Sequence, residues 1–444
     1  MKLTLKQIAD KTGGVLHGPD MTVTRLVTDS RQVETGCIFA AIKGARADGF
    51  DFIAELDVMP GIAYLTDRPV LDAVNPYIIV PDVLRAVGDI AALHLDTLHV
   101  KKIAVTGSVG KTTTKDFIAS ALAQCMRVQY SKGNHNNELG LPLSVLETSE
   151  SDDAVVLEMG MRGFGQIKYL CQIARPDVAV ITNIGISHIE LLGSRENILK
   201  AKSEIIDALA YDGVAVINGD DDMLQTLSLD KKTFRFGIEN KSCDILARNI
   251  VNNTFDLVYA DQVRHVELSV CGRHNIYNAL AAAAVGIALG CDIDRLICGI
   301  ESFSGDGKRQ NIYEYKGLRI FDDTYNASPA SMSAAMQVMS GYEGRKVLAL
   351  ADMLELGSYS KQAHRQLAHD IKKLGANEVI CIGTEMKHLF NELGDISAHY
   401  CTDNSEALDV LVKCVRPGDN ILFKGSQSMN VAGLLDDFKG VWNK

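Results

Sequence analysis

The sequence predicts an α/β protein of three domains, and three observations carry that prediction. The 444 residues are too many for one ordinary core. Short apolar runs recur from residue 102 onward, with helical stretches between them. One of these runs opens directly into a glycine-rich loop that is itself followed by a helical stretch.

Residues 1–82 contain short apolar runs, such as Cys37-Ile38-Phe39-Ala40-Ala41-Ile42, broken by Gly and Asp. They read as a small N-terminal α/β domain. From 82 to 98 the apolar residues fall at helical spacing, so a helix is expected to lead into a central domain, residues 83–310. There Ile103-Ala104-Val105, Ala154-Val155-Val156-Leu157, Val178-Ala179-Val180-Ile181 and Val214-Ala215-Val216-Ile217 are continuous apolar runs. Strands buried on both faces of a helix-covered parallel sheet have this composition. Residues 240–270 alternate instead and are expected to form an antiparallel insertion. A second series follows in residues 311–444: Leu318-Arg319-Ile320-Phe321, Val347-Leu348-Ala349-Leu350, Val379-Ile380-Cys381-Ile382 and Ile421-Leu422-Phe423. With helices between them these predict a C-terminal Rossmann-like sheet.

Composition narrows the function. Hydrophobic and charged contents of 47% and 23% suit a globular chain, and a net charge of −11 argues against nucleic acid as a partner. The first ten residues carry charges where a signal peptide needs an apolar stretch. The most apolar run, 279–289, is shorter than the about 20 residues that cross a bilayer. The ten cysteines include no C-x-x-C pair and are expected to be reduced thiols. A cytoplasmic protein without membrane insertion is the resulting expectation.

The strongest chemical signal is Thr106-Gly107-Ser108-Val109-Gly110-Lys111-Thr112-Thr113-Thr114, placed between strand and helix. Glycines let successive N–H groups of Gly107, Ser108, Val109 and Gly110 face one phosphate, and the helix start adds partial positive charge. Lys111 can reach the β/γ-phosphates and Thr112 can hold Mg²⁺. This is a P-loop-type arrangement, although Val105 stands where the usual pattern has its first glycine. A guanine-reading N-K-x-D is not met, because Asn240-Lys241 has its acid one place late, at Asp244.

The variant T-G-S-x-G-K-T-T resembles the phosphate loop of the muramyl (Mur) ligases, and further segments resemble that family in order along nearly the whole chain. Asn134-His135-Asn136-Asn137-Glu138-Leu139-Gly140 is similar to a stretch found in the members that add D-alanyl-D-alanine. Gly272-Arg273-His274-Asn275-Ile276-Tyr277-Asn278 resembles the adenine-contacting segment. Asp322-Asp323-Thr324-Tyr325-Asn326-Ala327-Ser328-Pro329 resembles D-D-x-Y-N-A-N-P, with Ser328 replacing Asn. Leu350-Ala351-Asp352-Met353-Leu354-Glu355-Leu356-Gly357 with His364 resembles G-D-M-x-E-L-G…H, and Lys424-Gly425-Ser426 resembles the K-G-S near the end of the chain. Asp29-Ser30-Arg31 and Lys43-Gly44 through Asp48-Gly49 look like uridine-binding elements, with Phe50 where His is common.

The resemblance implies an ATP-dependent amide ligase joining D-Ala-D-Ala to a UDP-N-acetylmuramoyl-tripeptide through an acyl phosphate. It implies catalytic roles for Lys111, Glu158, His188 and Lys202. ATP is expected on residues 107–113, Asn275, Asn278, Arg309 and Asp323, with Thr113 among the loop contacts. The peptide substrate is expected on Ser30, Arg31, Lys43, Asn136, Asn137 and Asn326. Two Mg²⁺ sites would use Thr112, Glu158, His188 and Lys202, the last as a carbamate. The expected molecule is a monomer whose first domain takes the UDP end. The alternatives are a sibling ligase that adds a single amino acid, and a nucleotide-dependent switch with no ligation.

Overall fold

The computed structural model describes residues 1–305 and 311–442, and every statement of placement below concerns those residues. The N-terminal unit is a five-stranded sheet in the order Val15–His17, Tyr77–Ile79, Ala63–Thr66, Cys37–Ala40, Arg25–Val27. Only its first pair is antiparallel. The apolar run expected near residue 40 is thus a central strand.

The helix Val83–Asp96 begins with the Asp82 side chain accepting from the Arg85 N–H. Its first half, with Val83, Ala86, Val87 and Ile90, packs into the N-terminal core. Its second half, with Ala91, Ala92 and Leu95, packs under the central sheet. One helix therefore belongs to two cores, and the change of core comes midway along it.

The central sheet has nine strands in the order Gln262–Glu267, Thr254–Tyr259, Ile245–Val251, Lys232–Gly237, Val214–Asn218, Val178–Ile181, Lys101–Thr106, Ala154–Glu158, Val128–Tyr130. From Val128–Tyr130 to Ile245–Val251 all pairs are parallel. The stretch expected to be an inserted antiparallel piece instead prolongs this sheet: the last two strands pair antiparallel at its edge. Alternate residues of the buried strands feed two opposite cores. Ile103, Val105, Val178 and Val180 meet the helices Lys111–Ala123 and Arg273–Ala288. Ala104, Val155, Leu157 and Ala179 meet Gln166–Ala174 and Arg195–Asp207. Helices on both faces explain why these strands read as unbroken apolar runs.

The C-terminal sheet has six strands in the order Asn311–Tyr315, Leu318–Asp322, Asn420–Lys424, Lys346–Ala351, Glu378–Ile382, Ala398–Cys401. All pairs are parallel except the hairpin at its edge. Its strands also alternate between two cores, one around Met332 and Leu367 and one around Leu411 and Phe438. No helix among the described residues is long and apolar enough to cross a membrane.

Candidate functional site

The C-terminal ends of parallel strands collect the polar residues, as expected where helices cover both faces of a sheet. Strand Lys101–Thr106 ends in the glycine loop, and Gly110 takes the left-handed conformation at φ 81° just before the helix Lys111–Ala123. Its neighbour strand ends at Val178–Ile181, and the next two residues hold the loop in shape. Thr182 Oγ1 donates to the Val109 carbonyl at 2.7 Å. The Asn183 side chain accepts from the Val109 N–H at 3.1 Å and donates to the Val109 carbonyl at 3.0 Å. Ser108 donates its N–H to the Asn183 carbonyl, and its hydroxyl accepts from the Gly185 N–H. Sequence reasoning assigned no role to Thr182 or Asn183; their place at a strand's C-terminal end beside the loop strand was the available signal.

Lys111 folds its ammonium back onto the loop, donating to the carbonyls of Gly107 at 3.0 Å and Ser108 at 3.4 Å. Thr112 is buried and donates its hydroxyl to Glu158 Oε2 at 2.5 Å. Glu158 ends the adjacent strand Ala154–Glu158 and is itself buried. Its second oxygen accepts from Asn136 Nδ2 at 2.7 Å, while its N–H donates to Ser131 Oγ. A carboxylate facing the phosphate loop is thus joined to the Asn-rich segment. The next residue, Asn137, does different work: its side chain accepts from the N–H groups of Leu139 and Gly140 and closes the turn.

Lys202 is 1% exposed on the helix Arg195–Asp207, and its Nζ donates to the Gly107 carbonyl at 2.9 Å. Burial, and then the nearby Lys111 charge, hold its ammonium well below the usual lysine range. The neutral amine, which that burial favours, is the species that can capture CO₂. His188 stands in the left-handed region at φ 63°, half-buried. Burial lowers its pKa, opposed by Glu355, whose Oε2 lies 2.5 Å from Nδ1. These four residues, 112, 158, 188 and 202, come from four different elements yet gather around the glycine loop.

The donor set bears on magnesium. Among the described residues no three His, Cys, Asp or Glu side chains form a group that could hold a metal by themselves. Thr112 and Glu158 offer a hydroxyl and a carboxylate side by side beneath a phosphate loop. Magnesium favours few protein ligands completed by phosphate oxygens and water, so the residues present fit it.

Two clefts flank the loop. One is lined by Gly110, Thr113, Asn275, Asn278 and Asp323, with Tyr342 from the C-terminal domain. Asn275 and Asn278 are both buried at the start of Arg273–Ala288; Asn278 donates to Asn275 Oδ1 and accepts from Thr114 Oγ1. This pair braces the phosphate-loop helix as well as facing the cleft. The other cleft is lined by Lys111, Asn136, Glu158, His188, Asn326 and Glu355. Asp323 reaches both, and Lys424 Nζ binds Asp323 Oδ2 at 2.5 Å and the Asn326 carbonyl at 2.9 Å. Lys424 therefore ties the two chemical segments of the C-terminal domain together.

The stretch 352–357 is held from three sides. His364 Nε2 accepts from the Met353 N–H at 3.0 Å while Nδ1 donates to the Ser360 carbonyl. Ser426 Oγ accepts from the Leu354 N–H, and Asp352 accepts from the Met386 N–H. The braced loop delivers Glu355 to His188.

Ser30, Arg31 and Lys43 do not line either cleft. Arg31 pairs with Asp29 at 2.6 Å, which holds that carboxyl down to about 2. Phe50, where His was expected, carries the Arg68 guanidinium 4.1 Å above its ring, and Arg68 also pairs with Asp48. Arg309 lies outside the described residues.

Known proteins match this chain in sequence and in fold. The family model described as "Mur ligase middle domain" matches residues 105–286, and "Mur ligase, glutamate ligase domain" matches 308–427. The UDP-N-acetylmuramoyl-tripeptide--D-alanyl-D-alanine ligase of Escherichia coli is 34% identical, covering 96% of both chains. Its Bacillus subtilis counterpart is 36% identical, covering 98% of both. A crystal structure of MurF from Acinetobacter baumannii superposes with a TM-score of 0.90 at 31% identity over 99% of both chains. MurF ligase from Thermotoga maritima in complex with ADP matches with a TM-score of 0.83 at 30% identity, over 94% of this chain and 97% of that one.

Proposed function

The chain belongs to the Mur ligase family, and from that premise we propose that it joins D-alanyl-D-alanine to a UDP-N-acetylmuramoyl-tripeptide at the expense of ATP. ADP, phosphate and the UDP-muramoyl-pentapeptide are the products. The observation that carries this reading is the hydrogen-bonded chain Thr112–Glu158–Asn136, which joins a phosphate loop to an acceptor-side segment.

A carboxylate acylates poorly because its own charge repels nucleophiles. Its activation by phosphoryl transfer gives an acyl phosphate, which the dipeptide amine then attacks with loss of phosphate. Lys111 and the loop N–H groups stabilise charge on the migrating phosphoryl group. Magnesium, held by Thr112, Glu158, His188 and a carbamylated Lys202 over two sites, would neutralise the γ-phosphate. Asn275, Asn278, Arg309 and Asp323 bind the nucleotide; Asn136, Asn137 and Asn326 border the peptide. No side chain of the protein becomes acylated, and positioning of three substrates supplies most of the rate.

The domains divide the work: residues 1–82 take the UDP end through Ser30, Arg31 and Lys43, residues 83–310 take ATP, and residues 311–444 close over both. We read the molecule as a cytoplasmic monomer; ten free cysteines suit a reducing compartment.

The test is phosphate release by the purified chain across nucleotide-linked peptides and amine acceptors. Release that depends on both the tripeptide and D-Ala-D-Ala is expected, with ¹⁸O from the tripeptide carboxylate appearing in phosphate. Release only with a single amino acid would identify a sibling ligase. AMP in place of ADP would refute the acyl-phosphate route.

A further inference from the structure

We propose that Glu355 is the positioning residue through which the C-terminal domain orients His188, one of the metal-holding groups of the reading above, on which this inference rests. Glu355 Oε2 lies 2.5 Å from His188 Nδ1, across the boundary between the central and C-terminal domains. The approach is built rather than incidental. Glu355 takes the left-handed conformation at φ 62°, which a non-glycine residue adopts only when its surroundings hold it there. The surroundings do: of the two residues that precede it, Met353 donates its N–H to buried His364 and Leu354 donates its N–H to Ser426. The Glu190 N–H reaches the Glu355 carbonyl at 3.4 Å. Gly357 lies so close to Glu190 that an added β-carbon would stand 3.1 Å from its side chain. Arg162 makes an exposed ion pair with the other carboxylate oxygen, at 3.6 Å from Oε1.

A carboxylate 2.5 Å from buried Nδ1, which makes no hydrogen bond of its own among the described residues, favours the tautomer that carries its proton there and leaves the Nε2 lone pair as the free donor. Histidines that hold metals are commonly oriented this way, and loss of the orienting group weakens metal binding by about 10–100-fold. Here the orienting carboxylate comes from another domain. His188 is therefore set for a metal only when the C-terminal domain is docked, which links domain closure to assembly of the metal site. Oriented in this way, the centre is complete only in the closed arrangement that also shields an acyl phosphate from water.

The experiment uses the full chain with Glu355→Ala, Glu355→Gln and His188→Ala, each first checked by circular dichroism for retained fold. ¹⁵N-histidine NMR of metal-free protein reads the His188 tautomer, and electron paramagnetic resonance reads Mn²⁺ affinity in the presence of ADP. The Nδ1–H tautomer is expected in the parent and in Glu355→Gln, whose amide oxygen can still accept, and is expected to be lost in Glu355→Ala. Mn²⁺ affinity should fall about 10–100-fold in Glu355→Ala, with partial recovery in Glu355→Gln. Parent-like affinity in Glu355→Ala, with His188→Ala impaired, would overturn the orienting role alone. Parent-like affinity in His188→Ala would overturn the metal assignment of His188 and this inference with it.

Discussion

Thr182 stands directly over Gly107: a β-carbon on that glycine would fall 1.9 Å from the Thr182 hydroxyl oxygen. The same hydroxyl donates to the Val109 carbonyl, so it cannot move aside without releasing the loop. The first glycine of the phosphate loop is thus required by a neighbouring strand end as well as by any phosphate.

Gly107→Ala should retain the fold and lose nucleotide. The expected outcome is at least a tenfold weaker ATP affinity, from displacement of Thr182 or of the loop itself. Calorimetric titration with ADP checks it. ADP affinity equal to the parent would mean that the loop accommodates the methyl group.

Lys111→Ala removes the ammonium that donates to the carbonyls of Gly107 and Ser108 while leaving the helix intact. Turnover should fall by about 10²–10³-fold or more, as for loss of a donor that stabilises transition-state charge. The thermal midpoint should change little. Near-normal turnover would refute the phosphate-loop assignment.

Asn136→Ala deprives Glu158 of one of its two side-chain hydrogen bonds. A hydrogen bond to a charged group contributes about 1.5–3 kcal/mol, so kcat/KM should fall about 10–100-fold. Asn137→Ala should act on stability of the turn that it closes. Equal stability losses and unchanged kinetics for both variants would contradict this division.

Lys202 should respond to dissolved CO₂. Burial, and then the Lys111 charge, disfavour its ammonium and so favour the neutral amine that CO₂ requires. Activity should decline in CO₂-depleted buffer and return with bicarbonate, and ¹³C-bicarbonate should give a carbamate resonance that Lys202→Ala lacks. Indifference to CO₂, with no such resonance, would argue for a plain lysine.

His364 should shape the acid limb of stability. Burial, the largest influence, lowers its folded-state pKa below the ordinary value of 6.5. Below pH 6.5 the unfolded chain binds a proton that the folded one refuses. The contribution is therefore complete above about pH 6.5 and declines as pH falls toward the folded-state value. Urea midpoints from pH 7.5 to 5 should fall less steeply in His364→Gln than in the parent. Equal slopes would mean that folding leaves the proton affinity of this imidazole unchanged.

Much of the site could be read from the chain because it rests on contiguous backbone. The loop Gly107–Thr112 and the strand-end acid Glu158 follow from local spacing, since a strand, a glycine turn and a helix start place them without help from afar. The family resemblance supplied His188 and Lys202, whose partners are far off in sequence. Thr182 and Asn183 escaped notice because their role appears only when strand Val178–Ile181 is laid beside strand Lys101–Thr106. Asn275 and Asn278 were read as nucleotide contacts; their hydrogen bonds also brace the phosphate-loop helix through Thr114.

The helix Val83–Asp96 shows the same limit. Apolar residues at helical spacing established that a helix would run from there, but they could not say which core each turn would join. Val87 and Leu95 read alike as apolar helix positions, yet one packs under the N-terminal sheet and the other under the central sheet.

By itself the sequence determined the α/β class, the order of most strands along the chain and the phosphate loop, because periodicity and glycine placement are local properties. Only the tertiary structure decided that Glu355 meets His188, that Lys202 lies buried against Gly107, and that Lys424 ties Asp323 to Asn326. Those contacts join residues 95 to 167 positions apart, and contacts at such separation depend on how sheets stack and domains dock, which no local pattern encodes.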